Sequence, residues 1–163
     1  MTYSLKCEMR AGVPIAEAFR IFEDPFNLAR ITPSWLNFRV TSQNVQTRKG
    51  AEITYRIAWL GFPISWKTII TEYDPPRLFI DEQAQGPYVL WRHRHDFQET
   101  DGGTIISDRV DYILPLGPLG RLAHCLVVKR QLREIFRFRQ QAIAKILGGA
   151  ETSFTEPQIT LLR

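Results

Sequence analysis

The chain has 163 residues, of which 44% are hydrophobic and 12% aromatic, and its formal net charge is +4. This is the size of one ordinary domain with enough apolar material for a core, and the composition excludes a disordered chain. The amino terminus lacks the apolar run of a signal peptide, and no stretch approaches the roughly 20 apolar residues that span a bilayer. We therefore expect a cytoplasmic protein without stable membrane insertion.

The first elements in chain order are a strand and two short helices. Apolar and polar residues alternate in TYSLKCEMRA, which predicts a half-buried strand. VPIAEAFRIFED has a proline suited to a first helical turn and apolar residues at helical spacing. DPFNLARITP predicts a second short helix that ends before Pro33.

About six strands are predicted next, because apolar residues now recur at every second position. The strand segments are WLNFRVTSQ, AEITYRIAWLG, FPISWKTIITEYD, PPRLFIDEQAQ, GPYVLWRHRHDFQE and TIISDRVDYILP. Leu60-Gly61 predicts a hairpin between the second and third segments, and the DGG at 101–103 predicts a tight turn before the last. Strands joined by such short turns favour an antiparallel sheet.

One long amphipathic helix is predicted after the last strand, ending at Gly148-Gly149. Its apolar stripe comprises Leu122, Leu126, Leu132, Ile135, Phe136, Ile143 and Ile146. Its basic residues, which we expect on a solvated face, are Lys129, Arg130, Arg133, Arg137 and Arg139. Residues 150–163 show no clear period and are expected to form a mobile tail, so the domain covers 1–149.

The order of these elements predicts an α+β fold. A curved antiparallel sheet of about six to seven strands would bury the apolar stripe of the long carboxy-terminal helix, with two short helices after the first strand. Aromatic residues on the inner face of such a sheet leave room for a cavity between sheet and helix. The segment LPLGPLG at 114–120 would be a connector or a gate to that cavity.

The motifs FIDEQAQGPYVLWRHRHDF, DRVDYILPLGPLGRLAH and VKRQLREIFRFRQQAI resemble those of the START-like, or SRPBCC, superfamily. The resemblance covers roughly residues 3–147 and is strongest to the bacterial ligand-binding group. It implies the helix-grip fold, shared with Bet v 1-like proteins and polyketide cyclases. It implies no single reaction, because carriers, sensors and enzymes share this frame.

Two of the three histidines lie in YVLWRHRHDFQE, on one predicted strand. Residues two apart point to the same face of a strand, so Trp91, His93, His95 and Phe97 share a face. The opposite face carries Arg92, Arg94 and Asp96 and belongs in solvent. Both histidines are therefore expected to point towards the helix, into the core or the cavity.

Three roles remain open for the histidine pair. With Asp108 as a third ligand the pair could hold a metal ion, but no further ligand motif supports this, and we expect neither metal nor cofactor. His93 or His95 with Asp108 or Asp81 could act as an acid/base pair. The interpretation that we favour is a polar pocket lining whose histidines are also satisfied structurally, by Asp108, Tyr112 or Tyr55.

The sequence therefore predicts binding of a hydrophobic small molecule, such as a lipid, an isoprenoid or an aromatic polyketide-like compound. The expected ligand-binding residues are Tyr55, Trp59, Trp66, Asp81, Gln83, Trp91, His93, His95, Asp108, Tyr112 and Phe136. Binding without turnover is the first expectation. The alternative is a cyclase or dehydratase, with His93, His95 and Asp108 as the catalytic candidates.

The expected partner is thus a small molecule. Nucleic acid is not expected as a partner, because the basic residues are not interleaved with exposed aromatics. Association of the basic helix face with an acidic protein or a membrane is a further alternative, and a monomer and a weak dimer both remain open.

Cys7 and Cys125 show no metal-ligand spacing and are expected to be buried and reduced, although a disulfide between them is left open.

Overall fold

The structure is a computed structural model, and it describes residues 1–43, 46–148 and 152–162. The strands are Thr2–Ala11 (β1), Arg39–Val40 (β2), Glu52–Trp59 (β3), Phe62–Asp74 (β4), Leu78–Gln85 (β5), Leu90–Thr100 (β6), Gly103–Ile113 (β7), Ser153–Phe154 (β8) and Gln158–Leu162 (β9). The α-helices are Ile15–Glu23 (α1), Gly117–Ala123 (α2) and Lys129–Ile146 (α3). Two 3₁₀ helices cover Pro25–Ala29 and Ser34–Leu36.

All described strands belong to one curved antiparallel sheet. Its order is β2-β3-β4-β5-β6-β7-β1-β8, and β9 also pairs with β1. Consecutive strands from β2 to β7 are neighbours, as the short predicted turns require. The first strand then pairs with β7 along nearly its whole length, from Tyr3 opposite Tyr112 to Ala11 opposite Thr104. The predicted α+β class and helix-grip arrangement are confirmed.

Two apolar clusters join the helices to the sheet. In the first, Phe19 and Phe22 of α1 pack against Phe79 and Phe97 of the sheet, with ring centroids 5.0–6.1 Å apart. In the second, Leu132 and Phe136 of α3 pack against residues of β1 and β7. These contacts bury the apolar stripe of α3 and fix the helix across the sheet. They therefore determine where the space between the sheet and α3 lies.

The segment WLNFRVTSQ does not form the predicted strand. Residues 34–36 form a 3₁₀ turn, and Asn37 adopts a left-handed conformation with φ of 45°. Asparagine tolerates that region better than most residues, so the turn can end there. Arg39–Val40 forms a two-residue strand opposite Arg56 and Tyr55 of β3, and Thr41 then donates its backbone N–H to the Thr54 carbonyl. Asn44 and Val45, further along, lie outside the described residues.

The predicted long helix is interrupted. A π-helical turn at His124–Val128 separates α2 from α3. A π turn inserts an additional residue per turn, which changes the phase of the apolar stripe. Leu122 and Leu126 are therefore 57% and 68% exposed, and their predicted burial is wrong. The stripe is confirmed within α3, where Leu132, Phe136 and Ile143 are buried. Gly148, with φ of 81°, follows the helix as predicted, whereas Gly149 lies outside the described residues.

The last residues differ from the expected mobile tail. Strand β9 pairs with the first half of β1, and β8 pairs with its other end. Between them, Thr155 donates its backbone N–H to the Glu8 carbonyl and accepts the Glu8 N–H at its hydroxyl, and the Gln140 side-chain amide donates to the same carbonyl at 3.0 Å. These strands were missed because each is short and Pro157 lies between them. Residues 150, 151 and 163 lie outside the described residues.

The cysteines are not paired with each other. Cys7 on β1 is buried, as predicted, but Cys125 is exposed and its predicted burial is wrong. Cys125 lies in the π-helical turn, whose changed phase directs it outwards.

No helix within the described ranges is both long enough and apolar enough to cross a membrane.

Candidate functional site

A cavity of about 440 Å³ lies between the sheet and α3. Its volume falls within the range of small-molecule sites. Most of its wall is apolar or aromatic, with contributions from β3, β4, the 3₁₀ turns and α3. Representative wall residues are Leu36, Ile53, Ile57, Ile64, Ile70 and Leu132. The strand pattern left undecided whether aromatic side chains would fill this space, and the described side chains leave it unfilled.

Most of the predicted ligand-binding residues line this cavity. They are Tyr55, Trp59, Trp66, Asp81, Trp91, His93, His95 and Phe136. The indole N–H of Trp66 donates to Thr68 Oγ1 at 3.2 Å, and that of Trp59 donates to Gln131 Oε1 at 2.6 Å. Since these polar atoms already have partners within the protein, the two tryptophans offer mainly apolar ring surface to a ligand.

Three predicted residues are not among the described residues that line the cavity. Gln83 instead bridges the β5–β6 turn, because its side-chain amide donates to the Tyr88 carbonyl and accepts from the Tyr88 N–H. Tyr112 packs in the apolar cluster and shares a hydrogen bond of 2.8 Å with His124. Asp108 lies behind the two histidines. The alternation of β7 places Asp108 inwards, as predicted, but the imidazole rings separate it from the cavity.

A buried cluster of two histidines and two carboxylates lies at one side of the cavity. Register brings it together, since Asp81 of β5 pairs with His93, and His95 of β6 pairs with Asp108 of β7. Asp108 Oδ1 lies 2.9 Å from His93 Nε2 and 2.8 Å from His95 Nδ1. On the opposite side, Asp81 Oδ2 lies 3.1 Å from His95 Nε2 and 3.7 Å from His93 Nδ1.

The hydrogen bonds of this cluster are not all of equal quality. His93 Nε2 bonds to Asp108, and His95 Nε2 bonds to Asp81. The short contact between His95 Nδ1 and Asp108 lacks the alignment of a hydrogen bond, so within the described ranges this nitrogen has no partner. The Phe79 ring stacks on His95 with centroids 4.0 Å apart and closes that side of the cluster.

The surroundings of the two histidines shift their pKa values in opposite directions. Burial lowers the pKa of His93 to about 4, and the neighbouring His95 adds to this effect. Burial also opposes charge on His95, but the two adjacent carboxylates of Asp108 and Asp81 outweigh it and raise its pKa. Burial likewise opposes charge on both carboxyls, yet bonding to the histidines holds the pKa of Asp81 and of Asp108 below its ordinary value. Of the two imidazoles, His93 is therefore the weaker base and His95 the stronger.

Sequence reasoning missed one charged residue of the cavity wall. Arg139 was assigned to the solvated face of the helix, yet it lines the cavity, with its guanidinium carbon 5.3 Å from the centroid of the Phe136 ring. Its Nε is buried and has no hydrogen-bond partner in the part of the chain that the structure describes. The helical period could have predicted this position, because Arg139 lies on the same face of the helix as residues 132, 136 and 143.

The cavity reaches the surface beside the segment 114–120, which was predicted to be a connector or a gate. Leu116 and Leu119 both line the cavity, and they are 75% and 68% exposed. Gly120 is tightly packed, since a Cβ there would lie 2.0 Å from the Pro115 carbonyl oxygen. The segment therefore forms an apolar margin at the opening, held close to the start of α2.

No protein-family model matches the chain, and no curated protein matches it in sequence. Solved structures do. TTHA0849 from Thermus thermophilus has 18% identity and a TM-score of 0.68, with 91% of this chain and 99% of that chain covered. Ms6760 from Mycobacterium smegmatis has 18% identity and a TM-score of 0.66, with 91% and 92% covered. Ara h 8.0201 has 16% identity and a TM-score of 0.59, with 91% and 99% covered. At these identities the likeness shows the fold alone.

Proposed function

From the premise of a Bet v 1/SRPBCC-like helix-grip fold, we propose that this protein binds a hydrophobic small molecule between its sheet and α3. The observation that carries the proposal is the apolar cavity of about 440 Å³ with one buried polar cluster in its wall. Apolar walls with a few convergent polar groups are the usual composition of a small-molecule site. A lipid, an isoprenoid or an aromatic polyketide-like compound fits this description.

Affinity would come mainly from burial of apolar ligand surface, at about 25 cal/mol per Å². The tryptophan and isoleucine side chains of β3 and β4 supply the apolar contacts. Orientation would come from the polar groups at two positions, the Asp81–His93–His95 cluster and Arg139. Because Arg139 Nε has no partner among the described residues, its guanidinium can receive an acidic or carbonyl group of the ligand.

A cyclase or dehydratase is the second candidate, and one observation favours it. The rings of His93 and His95, whose pKa values are shifted in opposite directions, have centroids 3.7 Å apart, and both line the cavity. A general base and a general acid at adjacent positions could remove and return a proton on a bound polyketide-like chain. Loss of turnover in folded His93→Gln or His95→Gln protein, with ligand affinity retained, would identify this activity.

The binding proposal is tested by narrowing the cavity. Ile57 lines it from β3, whereas its neighbour Arg56 is exposed on the other face of the strand. Ile57→Trp should abolish binding of a fluorescent fatty acid, and Arg56→Trp, which adds the same indole outside, should bind like the parent protein. Native mass spectrometry of all three proteins purified from the natural host gives the second readout.

A co-purified small molecule present in the parent and Arg56→Trp proteins and absent from folded Ile57→Trp would support the proposal. Its mass would identify the ligand class. Equal binding of the fatty acid by both variants would place the binding surface outside the cavity and overturn the proposal. Thermal unfolding of each variant establishes that the substituted protein is folded.

A further inference from the structure

Three side chains of the polar cluster face the cavity together, Asp81, His93 and His95. One oxygen or nitrogen atom from each lies within 4.8 Å of the others. The Asp81 Oδ2 atom is 3.1 Å from His95 Nε2 and 3.7 Å from His93 Nδ1. Ligand atoms held about 2.0–2.2 Å from one ion lie about 3.0–3.5 Å apart at common coordination angles. Both distances from Asp81 Oδ2 therefore lie at or near the spacing of ligand atoms around one ion.

Asp108 occupies the position of an outer-shell carboxylate. It lies on the side away from the cavity, where its Oδ1 is 2.9 Å from His93 Nε2 and 2.8 Å from His95 Nδ1. Histidines that bind metal ions usually donate their other ring N–H to a carboxylate, which fixes the ring and the tautomer. Here a single buried carboxylate bonds to His93 and lies beside the corresponding nitrogen of His95. That arrangement directs the opposite nitrogens, His93 Nδ1 and His95 Nε2, towards Asp81.

The atom types restrict which ion would fit. Two imidazole nitrogens and one carboxylate oxygen suit divalent transition metals such as zinc and iron(II), whereas magnesium and calcium prefer sites composed of oxygen atoms. Three protein ligands leave coordination positions free, as in catalytic rather than structural sites. Because the three ligands line the cavity, those positions would face the bound small molecule.

We propose that Asp81, His93 and His95 bind a divalent transition-metal ion of the zinc or iron(II) class, and that Asp108 positions the two histidines. The ion would bind an oxygen atom of the ligand, such as that of an enol, a phenol or a carboxylate. The sequence offered Asp108 as the third ligand, and no metal was expected because no further ligand motif supports one. In the structure Asp81 is placed to supply that ligand. This site goes beyond the proposed binding function, which requires no ion.

The test is a titration of the full chain, treated with chelator, first with Zn²⁺ by calorimetry and then with Co²⁺ by visible absorption. The parent protein should bind one ion per chain, and Co²⁺ should show the absorption of a site with nitrogen and oxygen ligands. His93→Gln and the isosteric Asp81→Asn should each weaken binding strongly. Asp108→Asn should weaken it by roughly 10–100-fold, the range for outer-shell carboxylates.

Two matched variants control for other sites. His124→Gln removes the remaining histidine, which is buried outside the cluster, and Asp96→Asn removes an exposed carboxylate on the opposite face of β6. Both should bind Zn²⁺ like the parent. If His93→Gln does not fold, Asp81→Asn decides the result.

Absence of Zn²⁺ and Co²⁺ binding by the parent protein would overturn the metal site, as would undiminished binding by folded Asp81→Asn. Fatty-acid binding, measured in the presence of chelator, is a separate readout. Failure of the metal site is therefore distinguishable from failure of the proposed binding function.

Discussion

The two cysteine thiols differ in their surroundings, and this difference predicts their reactivity. Burial raises the pKa of the Cys7 thiol far above its ordinary value, and the nearby Asp108 carboxylate adds to the effect. Cys125 is exposed on the π-helical turn. Iodoacetamide should therefore alkylate Cys125 in the native protein and leave Cys7 unmodified, as peptide mass spectrometry would show. Denaturant should make both reactive, and rapid native labelling of Cys7 would contradict its burial on β1.

His124 should make stability depend on pH. Burial lowers its pKa below the ordinary 6.5, and the charge of Lys129 adds to this effect. The unfolded chain therefore binds a proton near pH 6.5 that the folded chain accepts only at lower pH, so folding stability falls as pH falls below that value. The neutral ring also shares a hydrogen bond with the Tyr112 hydroxyl.

Substitution of His124 isolates this contribution. Between about pH 7.5 and about pH 5.5, the parent should lose stability relative to His124→Gln. Urea unfolding of both proteins at the two pH values measures this difference, in which contributions from His93 and His95 cancel. Parallel pH profiles for the two proteins would show that His124 does not carry the dependence.

Strand β9 is an element whose contribution can be measured directly. Ile159 lies opposite Leu5 of β1 and is buried in the second apolar cluster. Ile159→Ala should lower the free energy of unfolding by about 2–5 kcal/mol, because it removes buried methyl groups from a packed site. Leu161→Ala, on the same strand but 48% exposed, should change it by no more than about 0.5 kcal/mol. Equal, small effects from urea unfolding would show that β9 contributes little to the fold.

The success of sequence reasoning differed among the elements, for physical reasons. Long strands such as β4 and β6 show several repeats of the period-two pattern, so both the strands and the inward face of the histidines were predictable. Strands β2 and β8 have two residues each, too few for any period. The π-helical turn could not be predicted, because the sequence pattern indicates one continuous helix. The exposure of Leu122 and Leu126 in the structure is what shows the change of phase.

The site was predictable in its composition more than in its arrangement. Alternation placed His93, His95 and Asp108 on inward faces, and all three belong to the cluster. Alternation could not show that Asp108 lies behind the imidazole rings, away from the cavity. The period of a strand gives the face on which a side chain lies, whereas the distance of that side chain from the cavity depends on packing. Gln83 was mistaken for a pocket residue because its bonds to Tyr88 depend on the shape of the following turn.

For the whole molecule, the proposed ligand binding predicts a change in stability. A ligand that binds only the folded state stabilises it by RT ln(1 + [L]/Kd), about 2.7 kcal/mol at a concentration of about one hundred times Kd. The fluorescent fatty acid should therefore shift the urea midpoint of the parent and of Arg56→Trp, and leave that of Ile57→Trp in place. A similar shift in all three proteins would indicate binding away from the cavity.

The pairing of β9 with β1 also places Thr2 and Leu162, near the two ends of the described chain, side by side. Thr2 lies directly opposite Leu162, at the end of the same ladder that carries Ser4 opposite Thr160. A short linker can therefore join the ends without crossing the sheet, and new ends can be opened at the exposed Asp101-Gly102 turn. Such a circular permutant keeps every strand beside its present neighbours. It would replace the β6–β7 hairpin by a hairpin between β9 and β1. A folded permutant would show that the order of the strands along the chain is separable from the architecture that encloses the cavity.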